Sequence, residues 1–372
     1  MKIRQLILAL FLFISQGISA QEFFTYDANG AIVGLTPWGM VAETLTIPST
    51  VPAVRSGAFY DAVNLTTLVI DNGNPEFEEA LFATKTSTIS TVYLGGEMTT
   101  GNIQKLVLSL GTGSPLEIIE MDRYADETAV IDWTEDELTA VLTDKVFVRL
   151  PAPLVNSQVF GNAVVQGRFD ISGELKTFCG TATFEDTDDG SHMLFYVPTE
   201  CREQTHQIYI QRVRYIVAGE GVLIHNLEHS ATHAYLKRVE TNDDHKDALY
   251  ANSMMVGVIT PTSITPTVEI DGISYTNLGL ASNGVFHPLN AGTVPANRAY
   301  LQIETSVWEN LGANLTLLIP DEDFDGIREA NAMPMGRLSN ADHWYTLDGR
   351  RLNGRPQYPG AFIHSGHLIV VK

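Results

Sequence analysis

The chain has 372 residues, so two or three domains are expected, because one hydrophobic core rarely serves a chain of this length. Hydrophobic residues make up 44% and charged residues 18% of the sequence, which excludes a disordered protein and a coiled coil. The net charge of -21 comes from scattered acids and repels nucleic acid and anionic lipid headgroups. We therefore expect no nucleic-acid partner, and we interpret the acidic surface as an aid to solubility outside the cell.

Residues 1–20 are typical of a signal peptide. Lys2 and Arg4 form a charged start, and a small residue stands at the cleavage point. Between them, Leu6–Ile14 is an unbroken run of nine apolar residues, whereas a bilayer takes about 20 to cross. The sequence predicts an exported protein that is surface-bound, secreted or periplasmic. We expect the cleaved chain to begin at Gln21 and to contain no transmembrane segment.

A pair of apolar residues separated by one position recurs along the first part of the chain. The steps between successive pairs are 23, 24, 24 and then 30 residues. This period predicts strands that stack as a parallel ladder, because each unit has an apolar edge that it cannot bury without a neighbour. The pairs are Leu45/Ile47, Leu68/Ile70, Val92/Leu94, Leu116/Ile118 and Val146/Val148.

The segments around these strands carry turn and helix signals. Asn29-Gly30 predicts the turn of a lead-in hairpin within Gln21–Gly39. Asn102–Leu110 predicts a short helix, and Thr134–Glu137 is a capping box that opens another. We expect these connecting segments on the side of the ladder opposite the strands.

The best-preserved unit spans Leu45 to Ile70. Its marked residues are Leu45, Ile47, Pro48, Val51, Ala58, Phe59, Leu65, Leu68 and Ile70. With them the unit resembles the BspA-like leucine-rich repeat of bacterial surface proteins, although that family prefers Ile at Val54 and often has Cys at Ala62. The later units keep the strand pair and lose the Ala-Phe pair. The resemblance implies a short, irregular leucine-rich-repeat solenoid over residues 21–150 and an adhesion role.

From Pro151 the repeat period is lost, and short strand signals separated by polar turns follow. They predict an antiparallel β-sandwich over residues 151–310. Four segments resemble a β domain that is common in secreted Bacteroidetes proteins, and the resemblance implies no established activity for it. They are Phe178-Cys179, Ala218–Ile224, Gly284–Phe286 and Val294–Leu301.

The end of the chain predicts a linker over residues 311–340 and a small β-meander over residues 341–372. The meander has a turn at Asp348-Gly349, a strand that ends near Ser365-Gly366, and a terminal strand. It resembles the C-terminal tail of many exported Bacteroidetes proteins, which in some families is a sorting signal. We favour an ordered tail over a sorting role. The predicted fold class is therefore α+β, mostly β: solenoid, sandwich and meander.

Cys179 and Cys201 are the two cysteines of the chain. In an oxidising compartment such a pair suggests a disulfide, which would add roughly 3 kcal/mol in the chain-entropy model. The alternative is two buried thiols that pack as small hydrophobic side chains. The sequence leaves both alternatives open.

Two groups of residues resemble metal sites. His225, His229 and His233 lie four apart, as zinc ligands on a helix do, but they follow a strand-like run without a helical apolar stripe. The second group resembles the start of a calcium-binding loop and consists of Asp321, Asp323, Asp325 and Gly326. Ala332 stands at the twelfth position of that loop. Because a bidentate Glu is required where this alanine stands, a solvated linker is the preferred interpretation. We predict no bound metal.

An acidic group surrounds Trp133, as in a glycosidase, and consists of Asp132, Glu135, Asp136 and Glu137. Its place at the start of a predicted helix is explained by the helix dipole, which favours acids there. No hydrolase, zinc-protease, phosphate-loop or dinucleotide motif is present in the sequence. We therefore predict a protein that is not an enzyme, with no catalytic residues and no cofactor.

These observations leave three hypotheses for function. The preferred one is a secreted or cell-surface, non-catalytic adhesion-type protein that binds a host protein or glycan through solenoid and sandwich. The second is a carbohydrate-binding module of the sandwich, with Tyr275 or Trp308 as stacking platforms for sugar rings. The third is a hydrolase without a recognisable motif.

Overall fold

The chain divides into two compact units, unit 1 over Met1–Gly167 and unit 2 over Arg168–Lys372. Strands dominate both units, so the protein is α+β and mostly β, as predicted. The predicted signal peptide lies outside the described residues. The computed structural model describes residues 23–82, 86–125, 136–156, 160–170, 175–185, 193–203, 207–226, 233–240, 248–281, 284–311, 316–318, 344–346, 351–352, 360–364 and 367–371.

Unit 1 extends beyond the expected domain boundary at residue 150. The backbone N–H of Asn162 donates to the Leu142 carbonyl at 3.0 Å, and that of Val164 donates to the Val146 carbonyl at 2.8 Å. We call one strand of the ladder, together with its connecting segment, a rung. These bonds join the segment after residue 150 to the last predicted rung. The division between the units therefore falls at Gly167, inside a strand.

The described strands of unit 1 are short, and its helices lie in the connecting segments. The strands are β1 (Phe24–Tyr26), β2 (Ile32–Leu35), β3 (Thr44–Ile47), β4 (Ala53–Val54), β5 (Thr67–Ile70), β6 (Glu76–Phe77), β7 (Thr91–Leu94), β8 (Ile118–Met121), β9 (Phe147–Pro151) and β10 (Val164–Asp170). The helices are α1 (Pro37–Val41), α2 (Thr100–Leu110), α3 (Asp136–Val141) and a 3-10 turn at Ala152–Leu154.

Strands β3, β5, β7, β8 and β9 pair in parallel, in that order. Inward residues alternate with outward ones, as the period of two along a strand requires. One inward row consists of Leu45, Leu68, Val92, Ile119 and Val148, all buried. The first three predicted pairs therefore occupy the predicted places in the ladder.

The fourth and fifth predicted pairs are wrong in register. The backbone N–H groups of Glu117 and Ile118 both donate to the Ser90 carbonyl, so Ile118 opens its strand and is half-buried. The inward residues of this rung are Ile119 and Met121, and those of the next are Val148 and Leu150. The longer connecting segments shift the strands, and apolar residues just before each strand imitate the pair pattern.

Hydroxyl groups join successive rungs at the start of the strands. The Thr66 hydroxyl donates to the Glu43 carbonyl at 3.3 Å, and the Ser90 hydroxyl donates to the Thr66 carbonyl at 3.3 Å. The Thr88 hydroxyl donates to the Leu65 carbonyl at 2.6 Å. The Glu43 and Thr66 carbonyls also accept from backbone N–H groups of the next strand, so these hydroxyls add to the backbone bonds between successive strands.

A second, shorter ladder was not predicted from the sequence. Strands β2, β4 and β6 pair in parallel, and β1 pairs with β2 as the predicted hairpin, with Gly30 at a φ of +83° in its turn. In the next rung, the helix α2 takes the place that a strand of this second ladder would have. Its N-cap residue Thr99 accepts a hydrogen bond from the Asn102 N–H. This confirms the predicted helix over Asn102–Leu110. The capping box at Thr134–Glu137 lies mostly outside the described residues.

The apolar pair Ala58-Phe59, which we call the knob, has a counterpart in the following rung. Phe59 is fully buried and meets Phe82 edge-to-face, with ring centroids 5.9 Å apart. Its backbone N–H donates to the Leu81 carbonyl at 3.0 Å. Leu81 and Phe82 stand 23 residues after the first knob and are buried too. The next unit therefore lacks the Ala-Phe pair, as expected, but keeps a buried apolar pair at the same place, with Leu81 where the first unit has Ala58.

An ion-pair chain runs along the second ladder. Arg55 lies 2.7 Å from Glu78 and 3.5 Å from Asp27. The Ser56 N–H and the Arg55 guanidinium lower the pKa of Glu78, and two backbone N–H groups lower the pKa of Asp27. The Asp27 side chain is 26% exposed and the Glu78 side chain 41% exposed, so water screens both pairs and each contributes little by itself.

Glu78→Gln is expected to flatten the acid dependence of unfolding. Because the folded-state pKa of Glu78 is lowered, its contribution is present above the unfolded pKa of about 4 and is lost as pH falls through the folded value. Thermal unfolding from neutral pH into acid measures it. Glu79→Gln, at the neighbouring exposed carboxyl, is the control. Equal slopes for the wild type and Glu78→Gln would contradict the assignment.

The described elements of unit 2 are mostly strands. They are β11 (Leu175–Phe178), β12 (Thr183–Glu185), β13 (Met193–Arg202), β14 (Gln207–Val213), β15 (Tyr215–Ile216), β16 (Val222–Asn226), β17 (His233–Val239), β18 (Met255–Val258), β19 (Thr262–Ile264), β20 (Thr267–Ile270), β21 (Ile273–Leu280), β22 (Phe286–Pro288), β23 (Gly292–Val294), β24 (Arg298–Glu304) and β25 (Thr316–Leu318). The helices are α4 (Ala248–Ala251) and α5 (Thr305–Leu311).

Two sheets of unit 2 share one hydrophobic core. The first has the order β11-β16-β13-β14-β25, and the second has the order β18-β24-β21-β20, with β22 also on β21. Their pairings are antiparallel except that β25 joins β14 in parallel. The core residues come from both sheets and include Tyr196, Ile208, Leu223, Leu278, Phe286 and Leu301.

The C-terminal segment forms a four-stranded antiparallel sheet where it is described. Its strands are β26 (Trp344–Thr346), β27 (Arg351–Leu352), β28 (Gly360–His364) and β29 (His367–Val371), in the order β27-β26-β28-β29. Strands β26, β28 and β29 pair in the order of the predicted meander, and the two-residue β27 joins the other edge of β26. The expected linker over 311–340 contains β25, and residues 319–340 lie outside the described residues.

Candidate functional site

The outer side of the parallel ladder presents two straight rows of side chains. Consecutive residues of a strand point to opposite faces, so the residues between the inward pairs point outward. The row at the strand starts is Thr44, Thr67, Thr91, Ile118 and Phe147, and the second row is Thr46, Val69, Tyr93, Glu120 and Arg149. Neighbouring members of a row are about 4.8 Å apart, the spacing of paired strands. We call these ten residues the outer ladder face.

Tyr93 stands at the middle of the outer ladder face and is 41% exposed. At one end, Arg149 donates from Nε to Gln166 at 2.9 Å, and its guanidinium carbon lies 5.8 Å from the centre of the Phe147 ring. Both interactions hold the Arg149 side chain in place. The face therefore combines threonine hydroxyls at one end, the Tyr93 ring at the middle and the Arg149 cation at the other end.

Exposed apolar side chains lie beside the first rung of the ladder. Trp38 is 72% exposed and Val63 is 62% exposed. The Val63 N–H donates to the Met40 carbonyl at 3.1 Å, so the Val63 turn is bonded to α1, which carries Trp38. An exposed tryptophan of this kind is frequent where a protein contacts a partner.

A cleft of about 880 Å³ lies on the other side of unit 1. Its charged lining residues are Glu76, Glu78, Glu79, Lys105 and Glu137. The Lys105 ammonium lies 2.7 Å from Glu76 and lowers the pKa of that carboxyl, chiefly through its hydrogen bond. The pKa of Glu78 is lowered in the same direction. A general acid needs a raised pKa, so these two carboxyls are unsuited to that role.

The two described histidines of the possible zinc group lie on strands of different sheets. His225 is buried on β16, and His233 is exposed at the start of β17. Neither lies on a helix, which removes the premise of a shared helical face, and His229 lies outside the described residues. Among the residues that the structure describes, no group of three or more His, Cys, Asp or Glu could hold a metal ion.

Of the other acidic candidates, Asp136 and Glu137 lie in the described part of the chain. Asp132, Trp133 and Glu135 lie outside the described part of the chain, as does the calcium-like Asp321–Ala332 segment. Asp136 and Glu137 are in the first turn of α3, where the helix dipole favours them. Their structural role is the predicted one.

Cys179 and Cys201 are both free thiols, so the candidate disulfide is not formed in the structure. Cys179 is fully buried, and Cys201 is half-buried with its sulfur 3.6 Å from the Met254 sulfur. Burial raises the pKa of each thiol to about 11. Of the two alternatives left open by the sequence, the structure contains the pair of packed thiols.

These thiols are expected to react slowly with a thiol reagent at neutral pH. Because burial raises both pKa values to about 11, little thiolate is present, and labelling should accelerate as pH rises towards that value. Labelling of the folded chain, followed by mass spectrometry, measures the rate. In denaturant both residues should label quickly. A chain that labels only after reduction would instead contain the disulfide.

The two aromatic residues proposed as sugar platforms differ in setting. Trp308 packs against the hydrophobic core of unit 2. Tyr275 is half-buried and pairs across the strands with Val268, on the ribbon whose turn is flanked by Ile270 and Ile273, each 43% exposed. Tyr275 thus belongs to a partly exposed apolar ribbon, whereas Trp308 serves packing.

Sequence reasoning missed Tyr93 and Arg149. Tyr93 stands between the inward residues Val92 and Leu94, so the predicted pair already contained the signal for an outward side chain. Arg149 was hidden because the fifth pair was placed two residues too early.

No family model, curated protein or solved structure matches the chain. In the described part of the chain, no helix has the length and apolar content needed to span a membrane.

Proposed function

We propose that this protein is an exported, non-catalytic binding protein of the adhesion type, which contacts a host protein or glycan through the outer ladder face of unit 1. The observation that carries the proposal is the register of five parallel strands that places Tyr93 at the centre of two side-chain rows. Strand pairing holds these side chains before a ligand arrives, which reduces the entropy lost on binding. Tyrosine and arginine are also enriched among interface hot spots.

The proposal includes a finer description of the fold. Unit 1 is a short, irregular leucine-rich-repeat solenoid of the BspA-like kind, supported by the 23- to 24-residue steps of the first strands and the buried Ala58-Phe59 knob. Unit 2 is an antiparallel β-sandwich, supported by the core that its two sheets share. The pattern of residues 1–20 supports export, to the surface, the medium or the periplasm.

A binding role without catalysis is supported by the lowered pKa values of two carboxyls that line the cleft. Glu76 and Glu78 each lie 2.7 Å from a cationic side chain, which favours the ionised carboxylate. Such pairs stabilise the surface of a rung. They lack the opposed pKa values that a pair of catalytic carboxyls uses.

Tyr93→Ala is expected to weaken binding by about tenfold or more, the effect of losing a central aromatic hot spot worth roughly 2 kcal/mol. Residues 21–372 are first applied to an array of glycans and host-matrix proteins, and the affinity for each hit is then measured. Tyr60→Ala is the matched control, because Tyr60 is 44% exposed in the same unit but lies off the ladder strands. A blank array together with hydrolase activity would overturn the proposal.

The alternative is a carbohydrate-binding module in unit 2. It is favoured by the apolar ribbon that carries Val268, Ile270, Ile273 and Tyr275. In that case Tyr275→Ala abolishes glycan binding and Tyr93→Ala leaves it unchanged. The two variants therefore separate the two proposals on the same glycan hit.

A further inference from the structure

Two Asn-Gly dipeptides of unit 1 lie in different surroundings. Asn29-Gly30 forms the tip of the β1–β2 hairpin, and Asn72-Gly73 follows β5. Both asparagines and Gly30 are exposed, and a Cβ placed on Gly30 would find its nearest neighbour, Pro52 Cδ, at 3.9 Å. Gly73 is buried, and a Cβ placed there would lie 2.7 Å from the Ser49 carbonyl oxygen. The same dipeptide is thus open at one site and closely packed at the other.

An Asn-Gly dipeptide can deamidate without an enzyme. The backbone nitrogen of the glycine loses its proton and attacks Cγ of the asparagine, a new C–N bond forms, and the Cγ–Nδ2 bond breaks as ammonia leaves. Water then opens the resulting succinimide at either carbonyl and produces aspartate or isoaspartate. The net reaction consumes one water, releases one ammonia and adds one negative charge.

We propose that Asn29 is a spontaneous deamidation site of the folded protein and that Asn72 is protected by its packing. Ring closure requires the peptide after the asparagine to rotate. At Gly30 this rotation breaks an exposed hydrogen bond of 3.1 Å to the Asp27 carbonyl. At Gly73 it also moves a buried backbone against Ser49 and breaks a 2.6 Å bond to the Asp71 carbonyl. Local opening at an exposed turn takes less free energy than opening within packed structure.

The modification changes the turn that covers the first rung. Asp27 Oδ1 accepts the N–H of Asn29 at 2.8 Å and that of Ala31 at 2.9 Å, while Oδ2 lies 3.5 Å from Arg55. An isoaspartate at position 29 adds one carbon to the main chain between these two donors. It also places a second carboxylate beside Asp27. The hairpin tip therefore loses bonds that fix it, and the pairing of Arg55 with Asp27 is disturbed.

The test compares both sites within one molecule. The full chain is kept in warm, mildly alkaline buffer, and peptide mapping by mass spectrometry follows the mass increase at each asparagine over time. We expect deamidation at Asn29 to be several-fold faster than at Asn72. An enzymatic isoaspartate assay should detect product in the wild type, and Asn29→Gln should remove most of the signal that comes from unit 1.

A denatured sample provides the reference for both rates. In denaturant the two sites have the same dipeptide and no packing, so their rates should become similar, chiefly because Asn72 accelerates. Equal rates at the two sites in the folded chain would overturn the inference. An Asn29 that reacts only in denaturant, with no measurable reaction in the folded chain, would overturn it as well.

Discussion

Phe59→Ala is expected to lower the free energy of unfolding of unit 1 by about 3–5 kcal/mol, the range for removing a buried aromatic ring. Phe59 is fully buried and meets Phe82 of the following rung edge-to-face, with ring centroids 5.9 Å apart. Its removal leaves a cavity and withdraws a contact between two rungs. Because each rung is stabilised mainly by its neighbours, the loss affects the ladder rather than one turn.

The effect of Phe59→Ala can be measured by urea denaturation, with hydrogen exchange to assign the loss to unit 1. Amides of β5 and β7 should exchange faster in the variant, whereas unit 2 amides should keep their protection. Tyr60→Ala is the control, since Tyr60 is 44% exposed and its removal should change stability by only about 0.5 kcal/mol. A loss no larger than that of the control would show that the Phe59 ring does not join the rungs.

Leu301→Ala is expected to lower the free energy of unfolding of unit 2 by about 2–5 kcal/mol. Leu301 is fully buried on β24, where it stands beside Met255 on one neighbouring strand and Leu278 on the other. It belongs to the core that also holds Tyr196 and Leu223 of the other sheet. Truncating it therefore removes contacts along its own sheet and across the core between the two sheets.

The control for Leu301→Ala is Ile270→Ala, at an apolar side chain of the same sheet that is 43% exposed. Hydrogen exchange should show loss of protection in both sheets of unit 2 for Leu301→Ala and little change for Ile270→Ala. If only β24 and its two neighbours lost protection, the two sheets would not unfold together. That result would count against the proposed sandwich.

The parts of the fold that were predicted have local signals. The strands β3, β5 and β7 follow from steps of 23 and 24 residues, and α2 follows from a stretch that begins with a polar cap. The fourth and fifth strands were misplaced because their connecting segments differ in length, so periodicity no longer determines register. The apolar Leu116 is buried just before β8 and looks like a strand residue in the sequence.

The candidate site was predictable only in part. The outward position of Tyr93 follows from the alternation within its strand, but its place beside Val69 and Glu120 depends on the pairing of three strands. The positioning of Arg149 by Gln166 joins residues of two strands, and no local pattern indicates it. The exposure of Trp38 is likewise a property of the assembled first rung.

The sequence by itself determined that the chain is mostly β, that its first strands repeat at a regular step and that a hairpin precedes them. These features depend on alternation and turn residues within a few positions, which act on the backbone locally. Only the tertiary structure decided the register of the later rungs, the second ladder of β2, β4 and β6, the division at Gly167 and the separate thiols Cys179 and Cys201. Each of these depends on contacts between residues that are far apart in the sequence, where packing and backbone hydrogen bonding choose among alternatives that local patterns leave equal.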